Sequence, residues 1–249
     1  MSNLCVIQAR MGSTRLPGKI LKEISGMPSL EYQVNRIKQA KKVDKIVIAT
    51  TTDKSDDPVE KLCKKINIDC FRGSTDDVLD RYYQCVQKYP EYENIIRLTG
   101  DCPLTDPKVI DQVIDLFESG DYDYANNVQP DTFPDGMDVE VFKRGAIEIS
   151  AKESTTEFEH EHMNEYVLNS NEFKKGNLKA EHDYSKYRLT VDNQEDYEVV
   201  KFLAEHCPAD AAYLDYIEML EKNPAVIKLN AHIKRNEYAY KKLKNYEKI

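Results

Sequence analysis

Residues 8–19 read Gln-Ala-Arg-Met-Gly-Ser-Thr-Arg-Leu-Pro-Gly-Lys and follow directly on the apolar run Leu4-Cys5-Val6-Ile7. A short apolar run that opens into a loop with two glycines and three cations reads as a strand feeding an anion-binding turn. Backbone N–H groups around Gly12, Ser13 and Thr14 can line a concavity for phosphate oxygens, while Arg10, Arg15 and Lys19 neutralise charge on the scale of a triphosphate. Arginine adds a planar bidentate grip and Lys19 a mobile point charge. The loop is not a Walker A sequence, because Gly18-Lys19 is followed by Ile20 where that loop needs Ser or Thr. Gly-x-Gly-x-x-Gly is also absent, so any nucleotide is held by another scheme.

The first half alternates short apolar stretches with helical patterns. Strands are expected at 4–7, 45–50, 68–71 and 94–98, and helices at 29–40, 58–65, 76–88 and 107–118. This is the rhythm of a parallel sheet with helices on both faces. Asp106-Pro107 sets a capping carboxylate before a proline at the first helical turn, a strong start signal. Ligands of open α/β sheets gather beyond the carboxyl ends of strands, where both 8–19 and 100–106 lie. The second half reads differently, with strands expected at 122–126, 137–142 and 187–191 in antiparallel or edge positions. Helices are expected at 154–168 and 196–205, and a charged helix pair over 213–248.

A chain of 249 residues can build one large α/β domain with a small appendage. The formal charge of −9 argues against nucleic acid and against a membrane surface, both of which would repel it. Six cysteines with no Cys-x-x-Cys pair, several inside apolar runs, suit buried thiols in a reducing compartment. With no signal-peptide pattern and no apolar stretch near the length of a membrane span, a soluble cytoplasmic protein is expected.

The motifs carry a resemblance. Arg-x-x-Ser/Gly-Thr-Arg-Leu-Pro-Gly-Lys after the first strand resembles the cytidylyltransferases that make CMP-activated sugar acids, including CMP-Kdo and CMP-sialic acid synthetases. Within them it is most similar to the spore coat polysaccharide biosynthesis protein F branch. Further matches are Phe71-Arg-Gly-Ser74, Asp77-Val-Leu-Asp-Arg81-Tyr82, Arg97-Leu-Thr-Gly-Asp101-Cys-Pro-Leu, Pro134-Asp-Gly-Met-Asp138-Val-Glu140 and Arg188-Leu-Thr-Val-Asp192. The resemblance implies an α/β, nucleotide-diphospho-sugar transferase-like (Rossmann-like) three-layer sandwich, with a mixed, mostly parallel sheet and a smaller second-half insertion. It implies one cytidylyltransferase domain over 1–249. Residues 1–120 would form the nucleotide-binding half, 121–192 the acceptor-binding and dimerising part, and 193–249 C-terminal helices. It further implies Mg²⁺-dependent transfer of CMP from CTP to a sugar acid or a phosphorylated sugar or polyol, in surface polysaccharide assembly, by a homodimer.

Roles follow residue by residue. Asp101 and Asp192 match the family's paired metal aspartates, and hard carboxylate oxygens suit Mg²⁺; by spacing alone each reads as a helix cap. Arg10 and Lys19 are the main phosphate ligands and, with Asp101, the catalytic set. Gln8, Ala9, Gly12, Ser13, Thr14 and Arg15 complete the nucleotide loop. Arg72 and Ser74 belong to a segment beside the nucleotide, and Thr99 is placed to read the pyrimidine edge. Arg81 is expected at the acceptor, or else is a surface helix cation. Asp138 and Glu140 are two apart on an expected strand and so share a face, where they orient the acceptor or line an exposed edge. His162 is a candidate acceptor contact. His160 and His162 diverge by about 200° on a helix, so they do not share a metal there.

One departure stands out. CMP-sialic acid synthetases commonly carry an aspartate two residues after the later metal aspartate, whereas this chain has Asp192-Asn193-Gln194. Its Asp192-Asn-Gln-Glu195-Asp196 run is nearer the CMP-Kdo type. Two other classes compete: a glycosyltransferase of the same fold, against which Asp101-Cys102-Pro103 breaks the Asp-x-Asp pattern, and a non-catalytic scaffold.

Overall fold

Seven strands make up the main sheet of the computed structural model, which describes residues 2–235. In chain order the elements are β1 (Asn3–Gln8), β2 (Glu23–Ile24), β3 (Met27–Pro28), α1 (Ser29–Ile37), β4 (Lys45–Thr51), α2 (Asp57–Lys65), β5 (Asp69–Gly73), α3 (Val78–Gln87), β6 (Asn94–Thr99) and α4 (Pro107–Gly120). They continue with β7 (Tyr124–Asn126), β8 (Glu140–Lys143), α5 (Arg144–Glu153), α6 (Glu157–Glu161), α7 (Glu165–Asn169), β9 (Lys175–Asn177), α8 (Gln194–His206), α9 (Tyr213–Lys222) and α10 (Pro224–Asn230). The sheet order is β5-β4-β1-β6-β8-β7-β9, with β2 and β3 forming a separate hairpin.

The four main-sheet strands of the first half, β1, β4, β5 and β6, are parallel, and β1 lies between β4 and β6 with Cys5 opposite both Ile46 and Ile96. A parallel strand covered on both faces must be apolar on both, and Leu4, Cys5, Val6 and Ile7 are fully buried. Their period of two divides them between two cores. Cys5 and Ile7 pack with residues of α1, α2, α4 and α8, while Leu4 and Val6 pack with α3, α5 and α7. The result is a sheet between two helical layers, as the sequence led us to expect. In the second half β8 runs antiparallel to both β6 and β7, which makes the sheet mixed.

Asp106 caps α4 as its position before Pro107 predicted, accepting from the Lys108 N–H at 2.8 Å. It also accepts from the Tyr213 N–H at 2.8 Å, which ties α9 to the start of α4.

Three expectations are corrected. Residues 187–191 do not form a sheet strand and make only an isolated bridge, Arg188 with Asp135. Their backbone bonds go to loops instead: Leu189 N–H to Asp135 at 2.7 Å and Val191 N–H to the Asp101 carbonyl at 2.7 Å. The strand expected at 137–142 begins at Glu140, because Asn127 captures the Met137 carbonyl and the Val139 N–H through its side-chain amide. The helix expected at 154–168 is two short ones, α6 and α7, preceded by the unanticipated α5. Of the expected 213–248 helix pair, α9 and α10 are present, and the remainder beyond 235 lies outside the described residues.

Gly136 explains how the loop before β8 meets 188–190. Its φ is +102°, and a Cβ there would stand 2.6 Å from the Leu189 carbonyl carbon and 2.7 Å from the Thr190 nitrogen. Since both the torsion and the backbone contact oppose a side chain, Gly136→Ala should destabilise the protein by at least ~2 kcal/mol. Thermal unfolding followed by circular dichroism checks this; an unchanged midpoint would show that the close approach is dispensable. No helix among the described residues is long and apolar enough to cross a membrane.

Candidate active site

The loop after β1 is held by its own backbone. The Met11 carbonyl accepts from Ser13 N–H at 2.9 Å and Gly18 N–H at 3.1 Å, and the Met11 N–H donates to Asp56 at 2.6 Å. Gly18 takes φ +69°, which turns the chain into Lys19, and buried Ile20 fixes the next position. Lys19 is thereby aimed across the cleft. Its ammonium donates to Asp101 Oδ2 and to Asp192 Oδ1, each at 2.8 Å. Arg15 adds a 2.9 Å contact to Asp192.

Asp101 follows β6 through Gly100, whose N–H donates to the Gln8 carbonyl at 2.8 Å. A Cβ on Gly100 would stand 2.9 Å from that of Ala9, so a small residue lets the ends of β1 and β6 close up. Asp192 is held from behind by Arg188, which reaches it at 3.0 Å, Asp135 at 2.5 Å and Asp196 at 2.8 Å. Fully buried Asp196 in turn accepts from the N–H groups of Asp192 and Asn193 and from the Asn230 amide.

Burial alone would push the Asp101 carboxyl up, yet the Lys19 ammonium and its hydrogen bond hold it well below the usual carboxylate range. Burial likewise opposes the Lys19 charge, but Asp101 and Asp192 together raise its pKa above the ordinary value. Asp101 and Lys19 therefore both carry charge at neutral pH.

Two cavities open on either side of this cluster. One, of about 350 Å³, is lined by Gln8, Ala9, Arg10, Gly12, Ser13, Thr14, Arg15, Lys19, Arg81 and Arg97, with Asp101, Glu161 and Asp192 as its carboxylates. The other, of about 470 Å³, is lined by Asp135, Asp138, Glu140 and Glu165 together with Arg97, Arg235 and Asn164. The first is cationic and the second acidic. Arg97, Thr99, Asp101, His162 and Asp192 line both and form their common wall.

Sequence-predicted residues thus gather closely, with exceptions. Arg72 does not line either cavity, because its guanidinium is engaged by Asp57 and Glu60 of α2 and by the Thr51 and Asp53 carbonyls. Ser74 is likewise turned to structure: its hydroxyl accepts from the Asp77 N–H at 3.1 Å and its carbonyl from Arg81 at 2.7 Å. Arg81, expected at the acceptor, lines the cationic cavity instead. Burial, with Arg10 nearby adding repulsion, lowers its pKa. Asp138 and Glu140 do face one cavity, but Asp138 is bonded to Arg235 at 2.6 Å and Glu140 accepts from Arg97, Tyr124 and Asn164. Burial holds Asp135 and Asp138 above the ordinary carboxylate range, each pushed further by a neighbouring carboxylate and opposed by Arg235. His160 points away, to Asp77 at 2.7 Å.

Arg97, Asp135, Arg188 and Arg235 had no role from sequence. Arg97 left a visible signal, a lone arginine inside the apolar run Ile95-Ile96-Arg97-Leu98. Asp135 and Arg235 did not, since their ion-pair partners come from distant segments, whereas Arg188 takes two of its own, Asp192 and Asp196, from four and eight residues on.

The donor set at the common wall suits a divalent cation. Two hard carboxylates converge on one point, already spanned by a cation in the form of the Lys19 ammonium. No group of three or more His, Cys, Asp or Glu gathers around one point among the described residues. Asp101 and Asp192 would be its two ligands from the described residues.

An open, mostly parallel sheet whose first loop forms a cationic cradle beside paired carboxylates is the layout of a nucleotidyltransferase. The comparisons narrow this. The cytidylyltransferase family model matches residues 4–242, and the chain belongs to that family. It is 36% identical over 233 residues to the spore coat polysaccharide biosynthesis protein SpsF of Bacillus subtilis, covering 89% of this chain and 95% of that protein. A solved cytidylyltransferase from Leptospira borgpetersenii superposes with a TM-score of 0.88 at 38% identity, covering 94% of this chain and all of that one. The 3-deoxy-manno-octulosonate cytidylyltransferase 2 of Hydrogenovibrio crunogenus is 34% identical over 125 residues, 49% of this chain and 50% of that protein.

Proposed function

We propose that the protein transfers CMP from CTP to a hydroxyl of a sugar acid, with release of pyrophosphate, as a step of polysaccharide or glycan assembly in the cytoplasm. The observation that carries this reading is the meeting of a cationic and an acidic cavity at a wall bearing Asp101 and Asp192. A triphosphate fits the first by charge, and a polyhydroxylated acceptor fits the hydrogen-bonding groups of the second. That one relative is a 3-deoxy-manno-octulosonate cytidylyltransferase and another a spore coat polysaccharide biosynthesis protein supports the choice of a sugar acid and of polysaccharide assembly.

In this mechanism the loop N–H groups and Arg10, Arg15 and Lys19 hold the triphosphate, and the common wall sets its α-phosphorus against the acceptor. The acceptor oxygen forms a bond to that phosphorus while the bond to the pyrophosphate oxygen breaks in line. Lys19 offsets charge as it accumulates on the leaving group. Asp101, held strongly acidic by Lys19, is a poor proton acceptor and suits a ligand role; Asp138, with its raised pKa, is the better candidate to take the hydroxyl proton. Asp101 and Asp192 would hold Mg²⁺, which when bound supplies charge neutralisation for the phosphates.

Pyrophosphate release measured with CTP, ATP, GTP and UTP, each against a panel of sugar acids and phosphorylated polyols, tests the reading. Turnover is expected with CTP and a sugar acid. Silence across the whole panel, or a consistent preference for another nucleotide, would overturn it.

A further inference from the structure

We propose that Arg97 recognises the carboxylate of a 2-ulosonic acid acceptor, and that Glu140 acts by holding Arg97 and does not itself touch the acceptor; this rests on the sugar-acid reading above. Arg97 stands in the middle of β6 directly opposite Glu140 of β8. Opposite charges at paired positions attract, and the two side chains are in contact. The oxygens of Glu140, which is only 4% exposed, already accept from Arg97, from the Tyr124 hydroxyl and from the Asn164 amide at 2.8 Å. Little capacity is left for a sugar hydroxyl.

Arg97 is in the opposite condition. A guanidinium has five N–H donors, and the only hydrogen bond it makes among the described residues is through Nη1 to Glu140; its Nε is buried without a partner. The Nη2 N–H groups, which make no hydrogen bond among the described residues and are not among the fully buried atoms, are left for an incoming anion. Arg97 reaches both cavities, but the cationic one already holds Arg10, Arg15, Lys19 and Arg81 for phosphate. On the acidic side the other arginine, Arg235, is engaged by Asp138 at 2.6 Å, by Asp131 and by the Phe133 carbonyl. A carboxylate entering among Asp135, Asp138 and Glu165 therefore has one favourable position, against Arg97.

That position has a chemical consequence. In a 2-ulosonic acid the carboxylate and the anomeric hydroxyl share a neighbouring carbon, so a carboxylate fixed on Arg97 leaves the hydroxyl beside the wall that also carries Asp101. Recognition and alignment for attack become one contact.

The test uses the full-length protein with CTP and Mg²⁺, sugar acids that include 3-deoxy-manno-octulosonate, and phosphorylated polyols. For Arg97→Gln the apparent KM for the sugar acid should rise about 10- to 100-fold with the KM for CTP nearly unchanged, the loss expected of a charge-assisted contact. Arg97→Lys should recover part of it, since a point charge replaces the fork. Glu140→Gln should raise the same KM by a smaller factor and spare CTP. Because Arg97→Gln leaves a buried carboxylate unpaired, the Arg97→Gln/Glu140→Gln protein, which removes both charges, is measured alongside it, with circular dichroism confirming the fold. An unchanged acid KM in the folded double variant, or a rise in the KM for CTP instead, overturns the inference while the cytidylyltransferase reading stands. Turnover by the unaltered protein of phosphorylated polyols but no acid overturns it as well, and no turnover with CTP at all overturns both.

Discussion

Asp101→Asn and Asp192→Asn are each expected to lower turnover at least ~10²-fold, because each removes one charged oxygen from the point where the triphosphate must be neutralised. Asparagine keeps the shape of either side chain, and Lys19 keeps one carboxylate partner in each variant, so the fold should persist. The two substitutions should nevertheless differ in one respect. Asp192 is also bonded to Arg15 and Arg188, so its substitution weakens one contact of each of two more cations, whereas the ion-pair partner of Asp101 is Lys19 alone among the described residues. Steady-state kinetics over a range of Mg²⁺ concentrations, with calorimetric Mg²⁺ titration beside them, reads both effects. If either variant keeps near-normal turnover at saturating Mg²⁺, the two carboxylates are not the metal pair.

Lys19→Met should reduce kcat/KM by about 10²- to 10³-fold, since it removes the ammonium proposed to face the leaving pyrophosphate. The side chain is also the internal counter-ion of both aspartates, at 2.8 Å from each. Its removal should therefore act with opposite signs on two ligands: CTP binds more weakly, while Mn²⁺ or Mg²⁺ offered without nucleotide binds more tightly because no ammonium competes for the carboxylates. Titration calorimetry of each ligand separately decides the matter. Metal affinity that falls together with CTP affinity would mean that Lys19 organises the two aspartates and does not compete for them.

How much of this was legible beforehand varies by element for physical reasons. The strands β1 and β4 were readable because a parallel strand covered on both sides writes itself as an apolar run, as Leu4 to Ile7 does. The start of α4 was readable because Asp106 and Pro107 act within one turn. Residues 187–191 have the same apolar look as a strand, yet their N–H groups bond to loops at Asp101 and Asp135, a choice made by packing that no local window records. Arg72 shows the same limit at a side chain. Its motif suggested a ligand contact, but α2 sets Asp57 and Glu60 beside it, and two carboxylates close at hand hold the guanidinium.

The sequence by itself determined the chemistry of the first loop, the α/β rhythm and the residue types that bear charge, because these depend on neighbours in the chain. Only the tertiary structure decided which charges meet. Lys19 lies 82 residues from Asp101 and 173 from Asp192, and the three converge because the ends of β1 and β6 close up at Gly100 while Arg188 anchors the later aspartate. The acidity of Asp101 follows from that convergence, as the engagement of Glu140 by Arg97 follows from the pairing of β6 with β8, since a charge in a partly buried site takes its strength from whatever stands within a few ångströms of it.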